Sequence, residues 1–327
     1  METNSKGAEK FVIVGFGWVG QANAISLKLL GYDVAFYDPG TPPRHYAEHA
    51  GIYESLTKLD RVEAWDSPST WYVVCVGDRV SEEGVQDISL IEKALESLKQ
   101  LAGGVILRST IIPDSLAGLT FDYYVPEFLH EKKAVEESLN PYFFVVGKTE
   151  GSRLEPVLFK VLRSRAYKTF NGTPREASFI KYISNMWNSV RIAFVNEIGD
   201  AIGRPSDQAK LTEISRILGF TFDNRSYLRY GRAFGGHCLP KDTRAFVGWY
   251  GKGEQNLSLL SGTYAANTAH QALEEKFPLM PEWYSEWPDT HISGWKALRE
   301  LRYAVIKGIK NILKKLMGAG IKNETSS

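Results

Sequence analysis

Three features of this 327-residue chain predict an α/β fold: an open, doubly wound sheet followed by an all-helical half. Short apolar runs alternate with helix-length segments through roughly the first 170 residues. After Asn171 only helical periodicity remains. Between the first apolar run and the first helix lies Gly15-Phe-Gly17-Trp-Val-Gly20, a turn suited to a backbone that a ligand approaches closely.

Phe11-Val-Ile-Val14 reads as a buried parallel strand. A helix over 19–30 follows, Gly31 stops it, and a second strand covers 33–37. This strand–helix–strand unit has the length of a dinucleotide half-fold, and Asp38 closes it about 18 residues after Gly20. After a Pro-rich loop over 39–44, strands are predicted at 71–76, 104–108, 122–125 and 142–146, with a helix over 87–101. Thr173-Pro-Arg-Glu176 is a helix start: Thr173 caps, Pro174 fits the first helical position, and Glu176 completes a capping box. That helix should reach about Ala201, followed by helices over 205–218, 242–250 and 258–273. An irregular loop over 219–240 carries Cys238. A linker rich in Pro and Trp then leads to a basic amphipathic helix over 295–317, whose stripe includes Leu298, Leu301, Val305, Ile309, Ile312 and Leu316. The expected divisions are 1–170, 171–273 and 274–327.

With 43% hydrophobic and 24% charged residues the chain is of ordinary soluble composition, and a formal charge of +1 gives no global attraction to nucleic acid. Two cysteines far apart, a polar N-terminus and no bilayer-length apolar run point to a reducing compartment, read as the cytoplasm.

The glycine turn assigns roles to its members. Gly15 allows the tight turn, Gly17 the approach of a pyrophosphate to the start of the helix, and Gly20 close helix–strand packing. Asp38 is placed to accept from a ribose hydroxyl, which favours NAD over NADP, with Arg44 in the next loop as a mild counter-signal. Cys75 lies in an apolar strand and reads as a core residue. Cys238 sits instead in Arg232-Ala-Phe-Gly-Gly-His-Cys-Leu-Pro-Lys-Asp242, among polar neighbours. Lys241 would lower its pKa, and Asp242 would orient the lysine or handle a proton. Lys181 and Asn185 share a helix face among apolar residues, where a lysine needs a partner or a task. His237 has no companion cluster that would make a metal site, and none is expected.

Four blocks in order resemble the UDP-glucose/GDP-mannose dehydrogenase family. They are Gly15–Gly20, Ser109-Thr-Ile-Ile-Pro113, Val125-Pro-Glu-Phe-Leu129, and a composite of Glu176–Asn185, Asn196-Glu197 and Phe234–Asp242. The resemblance covers about residues 10–270. It implies a Rossmann-like NAD domain, a central helical dimerisation domain, and NAD-dependent oxidation of a sugar-nucleotide primary alcohol to a carboxylate, of the UDP-glucose to UDP-glucuronate type, as in polysaccharide biosynthesis. Cys238 would capture the aldehyde as a thiohemiacetal and then carry a thioester. Lys181 and Asn185 would steady the oxyanion, Asp242 activate water, Glu127 assist thioester hydrolysis and Thr110 position water. The cofactor would meet Gly15, Gly17, Trp18, Val19, Gly20, Asp38, Val76, Ser109, Thr110 and Lys241. The sugar nucleotide would meet Glu127, Phe128, Leu129, Lys181, Asn185, Tyr230, Phe234 and Gly235, and the long central helix would build a homodimer.

Three departures stand out. Nothing after His270 resembles the family's C-terminal nucleotide-sugar-binding domain, so a short form is expected. The segment between Asp38 and Trp71 is short, and the family's Thr-Pro after the Val73 strand is Gly77-Asp78. The family's Pro-Gly-x-Gly becomes Tyr230-Gly-Arg-Ala233. Two other readings stay open: a single-step hydroxyacid-type dehydrogenase that does not need Cys238, and a catalytically silent dimeric interaction protein. The tail helix either packs on the body, the favoured reading, or lies on an anionic membrane.

Overall fold

Phe11-Val-Ile-Val14 presents no polar side chain, and it becomes the central strand β1 (Lys10–Val14), buried on both faces. The structure, a computed structural model, describes residues 9–130, 133–204, 207–222, 227–251, 257–277 and 280–281. The glycine turn leads into α1 (Trp18–Leu29), and β2 (Asp33–Tyr37) returns parallel to β1. The chain then forms α2 (Ala50–Glu54), β3 (Thr57–Lys58), β4 (Thr70–Val74), a small antiparallel hairpin of β5 (Arg79–Val80) and β6 (Gln86–Asp87), and α3 (Ser89–Leu98). There follow β7 (Gly104–Leu107), β8 (Tyr123–Tyr124), α4 (Ala134–Leu139), β9 (Phe143–Lys148), α5 (Val157–Arg165) and β10 (Lys168–Gly172).

Apart from the hairpin, these strands make one sheet in the order β10-β9-β8-β7-β4-β1-β2-β3. The β8–β9 pair is antiparallel and the other neighbours run parallel. From β1 the chain winds outward through β2, and from β4 it winds the opposite way, so the order reverses between β1 and β4. Ligands of doubly wound sheets lie beyond the carboxyl ends of the strands at such a point. Here those ends feed the glycine turn, residues 75–78 and residues 108–110. Side chains of alternate parity fill the two sides. Phe11, Ile13, Tyr123 and Val125 face α1 and α4, while Val12, Val14, Tyr72 and Tyr124 face the opposite layer.

The helical half begins with α6 (Pro174–Ile202), whose start forms through the reciprocal capping box. The Glu176 N–H donates to Thr173 Oγ1 at 3.2 Å, and the Thr173 N–H donates to Glu176 Oε2 at 2.7 Å. α7 (Gln208–Phe222), α8 (Cys238–Tyr250) and α9 (Ser258–Glu274) pack around it.

Two expectations need correction. The strand predicted to Val76 stops at Val74, because Cys75 N makes the last ladder bond, to Val14 O, and the chain then turns into the switch point. Cys238 is not in a loop. The helix expected from residue 242 starts at Cys238, since Pro240 occupies a first-turn position whose N–H would have no intrahelical partner. The helix expected over 295–317 lies outside the described residues.

Candidate active site

At the switch point the glycine turn is shaped by contacts that exclude larger residues. Gly15 has φ 88°, and a Cβ there would lie 3.0 Å from Cys75 O and 3.1 Å from Val76 Cγ2. A Cβ on Gly20 would collide with the carbonyl oxygen of Gly15. Gly17 differs, for a Cβ on it would meet nothing within 4 Å. It is also the N-cap of α1, with no side-chain cap and no acidic residue in the first turn. A backbone cradle of this kind has both the space and the N–H groups for a diphosphate. Asp38 accepts from Phe16 N at 2.7 Å and from Gly40 N at 2.8 Å, so it braces the turn and keeps lone pairs for a hydroxyl donor. Gln21 ties the turn to the Pro-rich loop, donating to Phe16 O and Pro43 O, each at 2.8 Å. Trp18 stacks on His45 at the rim, with ring centroids 3.9 Å apart. Across the mouth, Ser109 Oγ donates to Val76 O at 2.6 Å.

The second part of the site joins the helical half to that mouth. Lys181 and Asn185 lie one turn apart on α6, and Lys181 Nζ donates to Asn185 Oδ1 at 3.3 Å. Asn185 Nδ2 donates to Asp242 Oδ2 at 2.6 Å, and Lys241 Nζ to Asp242 Oδ1 at 2.7 Å. The same ammonium reaches back to the sheet, to Asp78 Oδ1 at 2.7 Å and Oδ2 at 2.8 Å. Gln86 of the hairpin donates to Asp78 Oδ2 at 2.6 Å and to Thr110 O at 3.0 Å, and it accepts from Ile112 N at 2.9 Å. Asp78, Lys181, Asn185, Lys241 and Asp242 are all buried. Burial pulls Lys241 down, but Asp242 and Asp78 outweigh it and its pKa is raised.

Cys238 is the first residue of α8, in the same helical turn as Lys241, and is accessible to solvent. Desolvation pushes its thiol up, Lys181 opposes most strongly, Asp242 and Asp78 add to the rise, and Lys241 opposes less. The net direction is upward. Lys241 does act in the expected direction, but desolvation of the thiol, aided by Asp242 and Asp78, outweighs both lysines. The helix start acts in the opposite sense, favouring a thiolate at the first helical position. Lys181 makes one hydrogen bond among the described residues, and its ammonium lies 5.5 Å from the ring centre of Phe128. Its remaining N–H groups are available to an incoming oxygen.

The other predicted residues are placed differently. Glu127 is buried on the α1 side of the sheet, paired with Arg108 and accepting from Asn23 Nδ2 at 2.8 Å. Leu129 packs into the core beneath α1. The Tyr230 hydroxyl donates to Asp200 at 2.6 Å, and its ring leaves no room for a Cβ on Gly199. Phe234 is fully buried, its backbone N–H and C=O both bonded to the Asn267 amide at 2.7 and 2.9 Å. Gly235, just before the thiol, is exposed. Sequence reasoning missed Asn23, Gln86 and Arg108, and it noted Asp78 only as a departure. Polar residues beside the switch-point strands were the available signal.

The chain is similar to several known proteins. Residues 175–269 match the model of the "UDP-glucose/GDP-mannose dehydrogenase family, central domain". The chain is 27% identical over 305 residues to a GDP-mannose 6-dehydrogenase of Pseudomonas syringae pv. tomato, covering 79% of this chain and 67% of the relative. It is 26% identical over 264 residues to a UDP-glucose 6-dehydrogenase of Rickettsia typhi, covering 71% and 60%. The chain thus spans about two thirds or less of these relatives. In fold it is similar to a UDP-glucose dehydrogenase of Pyrobaculum islandicum, with TM-score 0.69, 24% identity, and 85% of this chain and 73% of that one covered. It is also similar to the GDP-mannose dehydrogenase of Pseudomonas aeruginosa, with TM-score 0.55, 23% identity, and 80% and 69% covered.

Proposed function

We propose that this chain, which belongs to the UDP-glucose/GDP-mannose dehydrogenase family, oxidises the primary alcohol of a sugar nucleotide to a carboxylate with NAD. The observation that carries the reading is the unbroken buried chain from Lys181 through Asn185, Asp242 and Lys241 to Asp78, which ties α6 and α8, the helix that Cys238 begins, to the segment after β4. On this reading residues 1–170 hold the cofactor and residues 171–273 carry the thiol.

The open Gly17, the uncapped start of α1 and the braced Asp38 fit a dinucleotide. Gly15, Gly17, Trp18, Val19, Gly20, Asp38, Val76, Ser109 and Thr110 are the residues that would hold it. NAD bound there would supply the hydride acceptor for both oxidations, one molecule for the alcohol and a second for the captured aldehyde. Lys181 and Asn185 donate to the substrate oxygen as negative charge develops on it. The sulfur of Cys238 bonds to the aldehyde carbon and makes it tetrahedral, the form from which a hydride leaves readily. Loss of that hydride leaves an acyl group on sulfur. Water adds to it, the carbon–sulfur bond breaks, and the carboxylate departs as the thiol regains its proton. On this reading Asp242, at the centre of the polar chain, passes the protons involved, Glu127 assists the hydrolysis and Thr110 positions the water. Two NADH form per carboxylate.

Homodimerisation through α6 belongs to the same proposal. Ile183, Trp187, Phe194 and Ile198 form an exposed apolar stripe along that helix, with Ile183 and Trp187 each 58% exposed. No helix among the described residues is long and apolar enough to cross a membrane, and two free cysteines fit a reducing cytoplasm.

The test is NADH release across a panel of UDP- and GDP-sugars, with NADH counted per product. Two per acid supports the proposal. One per product, with Cys238→Ala still active, favours the single-step dehydrogenase. Tight NAD binding with no turnover favours the silent interaction protein.

A further inference from the structure

The hairpin of β5 and β6 and the Gly77-Asp78 step carry none of the chemical steps assigned above, yet both are fastened to the helices that do. Gly84 of the hairpin has φ 81° and lies so close to α8 that a Cβ on it would come within 2.8 Å of Gly248 Cα. Val80 packs against the cluster of Ile112, Tyr182, Met186 and Ala245. Gln86 then fixes Asp78. Its amide donates to Asp78 Oδ2 at 2.6 Å and to Thr110 O at 3.0 Å, while its oxygen accepts from Ile112 N at 2.9 Å. Asp78 in turn accepts from Lys241 Nζ at both oxygens, at 2.7 and 2.8 Å. A third bond from the same ammonium goes to Asp242 Oδ1 at 2.7 Å, so its three N–H groups are all taken by carboxylates.

We propose that Asp78 is a positioning residue for the oxidation: through Lys241 and Asp242 it sets the amide of Asn185 and, through that amide, the ammonium of Lys181. The inference rests on the reading of Lys181 and Asn185 as donors to the substrate oxygen. Each link has one satisfied arrangement. Lys241 stands between Asp78 and Asp242, two buried carboxylates that would otherwise repel each other. It holds Asp242 by Oδ1 and leaves Oδ2, to which Asn185 Nδ2 donates at 2.6 Å. An amide turned the other way would set its oxygen against that carboxylate and its NH2 against an ammonium, so charge fixes the orientation. Asn185 Oδ1 then faces Lys181 Nζ at 3.3 Å. Asp78 stands on the segment that leaves β4 at the switch point, and Lys181 stands on α6. The chain of bonds therefore registers the donors of the helical half against the cofactor mouth of the sheet, although 163 residues separate Asp78 from Lys241 in sequence. Rates respond to such registration, since a displacement of about 1 Å can lower one by about a hundredfold.

The experiment is a pair of double-variant cycles on the full-length protein, with Asp78→Ala and Asn185→Ala made singly and together. In the kinetic cycle NADH formation is followed with UDP-glucose and GDP-mannose as probes. Asp78→Ala alone should lower kcat by about tenfold to a hundredfold with KM changed by less than about threefold. Asp78→Asn, which keeps one acceptor for Lys241, should lose less. Added to Asn185→Ala, Asp78→Ala should lower kcat by no more than about a further twofold, because the amide it sets is gone. Losses that multiply in the double variant, or a loss confined to KM, overturn the proposal. The second cycle needs no turnover. The urea midpoint of the double variant should fall by less than the sum of the two single falls, although Lys241 and Asp242 stand between the two positions. Additive shifts overturn the proposal whether or not either probe is oxidised. No turnover of either probe together with non-additive midpoints counts against the dehydrogenase reading while upholding the coupling of Asp78 to Asn185. If Asp78→Ala does not fold, Asp78→Asn takes its place in both cycles; if neither folds, Asp78 serves stability and the proposal is overturned.

Discussion

Two buried ionic clusters hold the helical half, and they differ in what they leave open. In one, His270 of α9 lies between Asp200 Oδ2 and Gly231 O, each at 2.7 Å, while Tyr230 donates to the other oxygen of Asp200. Both ring nitrogens face acceptors, an arrangement satisfied when both donate, which favours the cation. Burial pulls the pKa of His270 down, yet Asp200 and the Gly231 carbonyl outweigh it and the net shift is upward. Among the described residues, His270, Asp200 and Tyr230 all have partners in that cluster. In the other, the chain from Lys181 to Asp78 runs through the helix that begins with an accessible thiol, and Lys181 keeps donors to spare. The same pairing chemistry makes a staple where it closes on itself, and a site where it stops beside a cleft with one end unsatisfied.

The comparison is broken most directly at the thiol. Cys238→Ser should reduce acid formation by at least about a thousandfold, with NAD binding intact by fluorescence titration. Acid formation at the parent rate would remove the distinction between staple and site. Next in size, Lys181→Met should lower kcat by about 10²–10³ with a small change in KM, the pattern of a donor used mainly in the transition state. An equal rise in KM alone would class Lys181 as a ground-state contact.

On the other side of the comparison, His270→Gln should cost about 2–3 kcal/mol in urea unfolding while the NADH-to-product ratio stays at two. Its pH dependence sharpens the point. The pKa of His270 is raised above the ordinary 6.5, so its stabilisation is fully present below that value and is lost as pH rises through the higher folded pKa. The difference in urea midpoint between parent and His270→Gln should therefore shrink as pH rises from 6 towards alkaline values. A difference that grows would reverse the sign of the assignment. The smallest effect is expected at Thr173→Ala, which removes half of the α6 capping box and should cost about 1 kcal/mol with activity retained.

Much of this was legible in the chain. An apolar run with no polar side chain has no stable place but a strand covered on both faces, so β1 was readable, and Thr173-Pro-Arg-Glu176 named the start of α6 because capping is local. The head of α8 was misread because Gly-Gly-His-Cys-Leu-Pro resembles a loop, although proline in a first helical turn sacrifices no intrahelical bond. Asn23 gave little sign, since its partner Glu127 lies 104 residues away, and Gln86 gave little because it bonds across the switch point to Asp78, Thr110 and Ile112 rather than along one element.

By itself the sequence determined the alternation of strands and helices, the glycine turn and the residue types available for chemistry, because propensity, capping and turn geometry act over a few residues. Tertiary structure alone decided that Asp78 meets Lys241, that Glu127 is held by Arg108 and Asn23, and that burial pushes the thiol pKa up. Charges interact through space and at close range in a dry interior, so their effect follows from which segments the fold brings together.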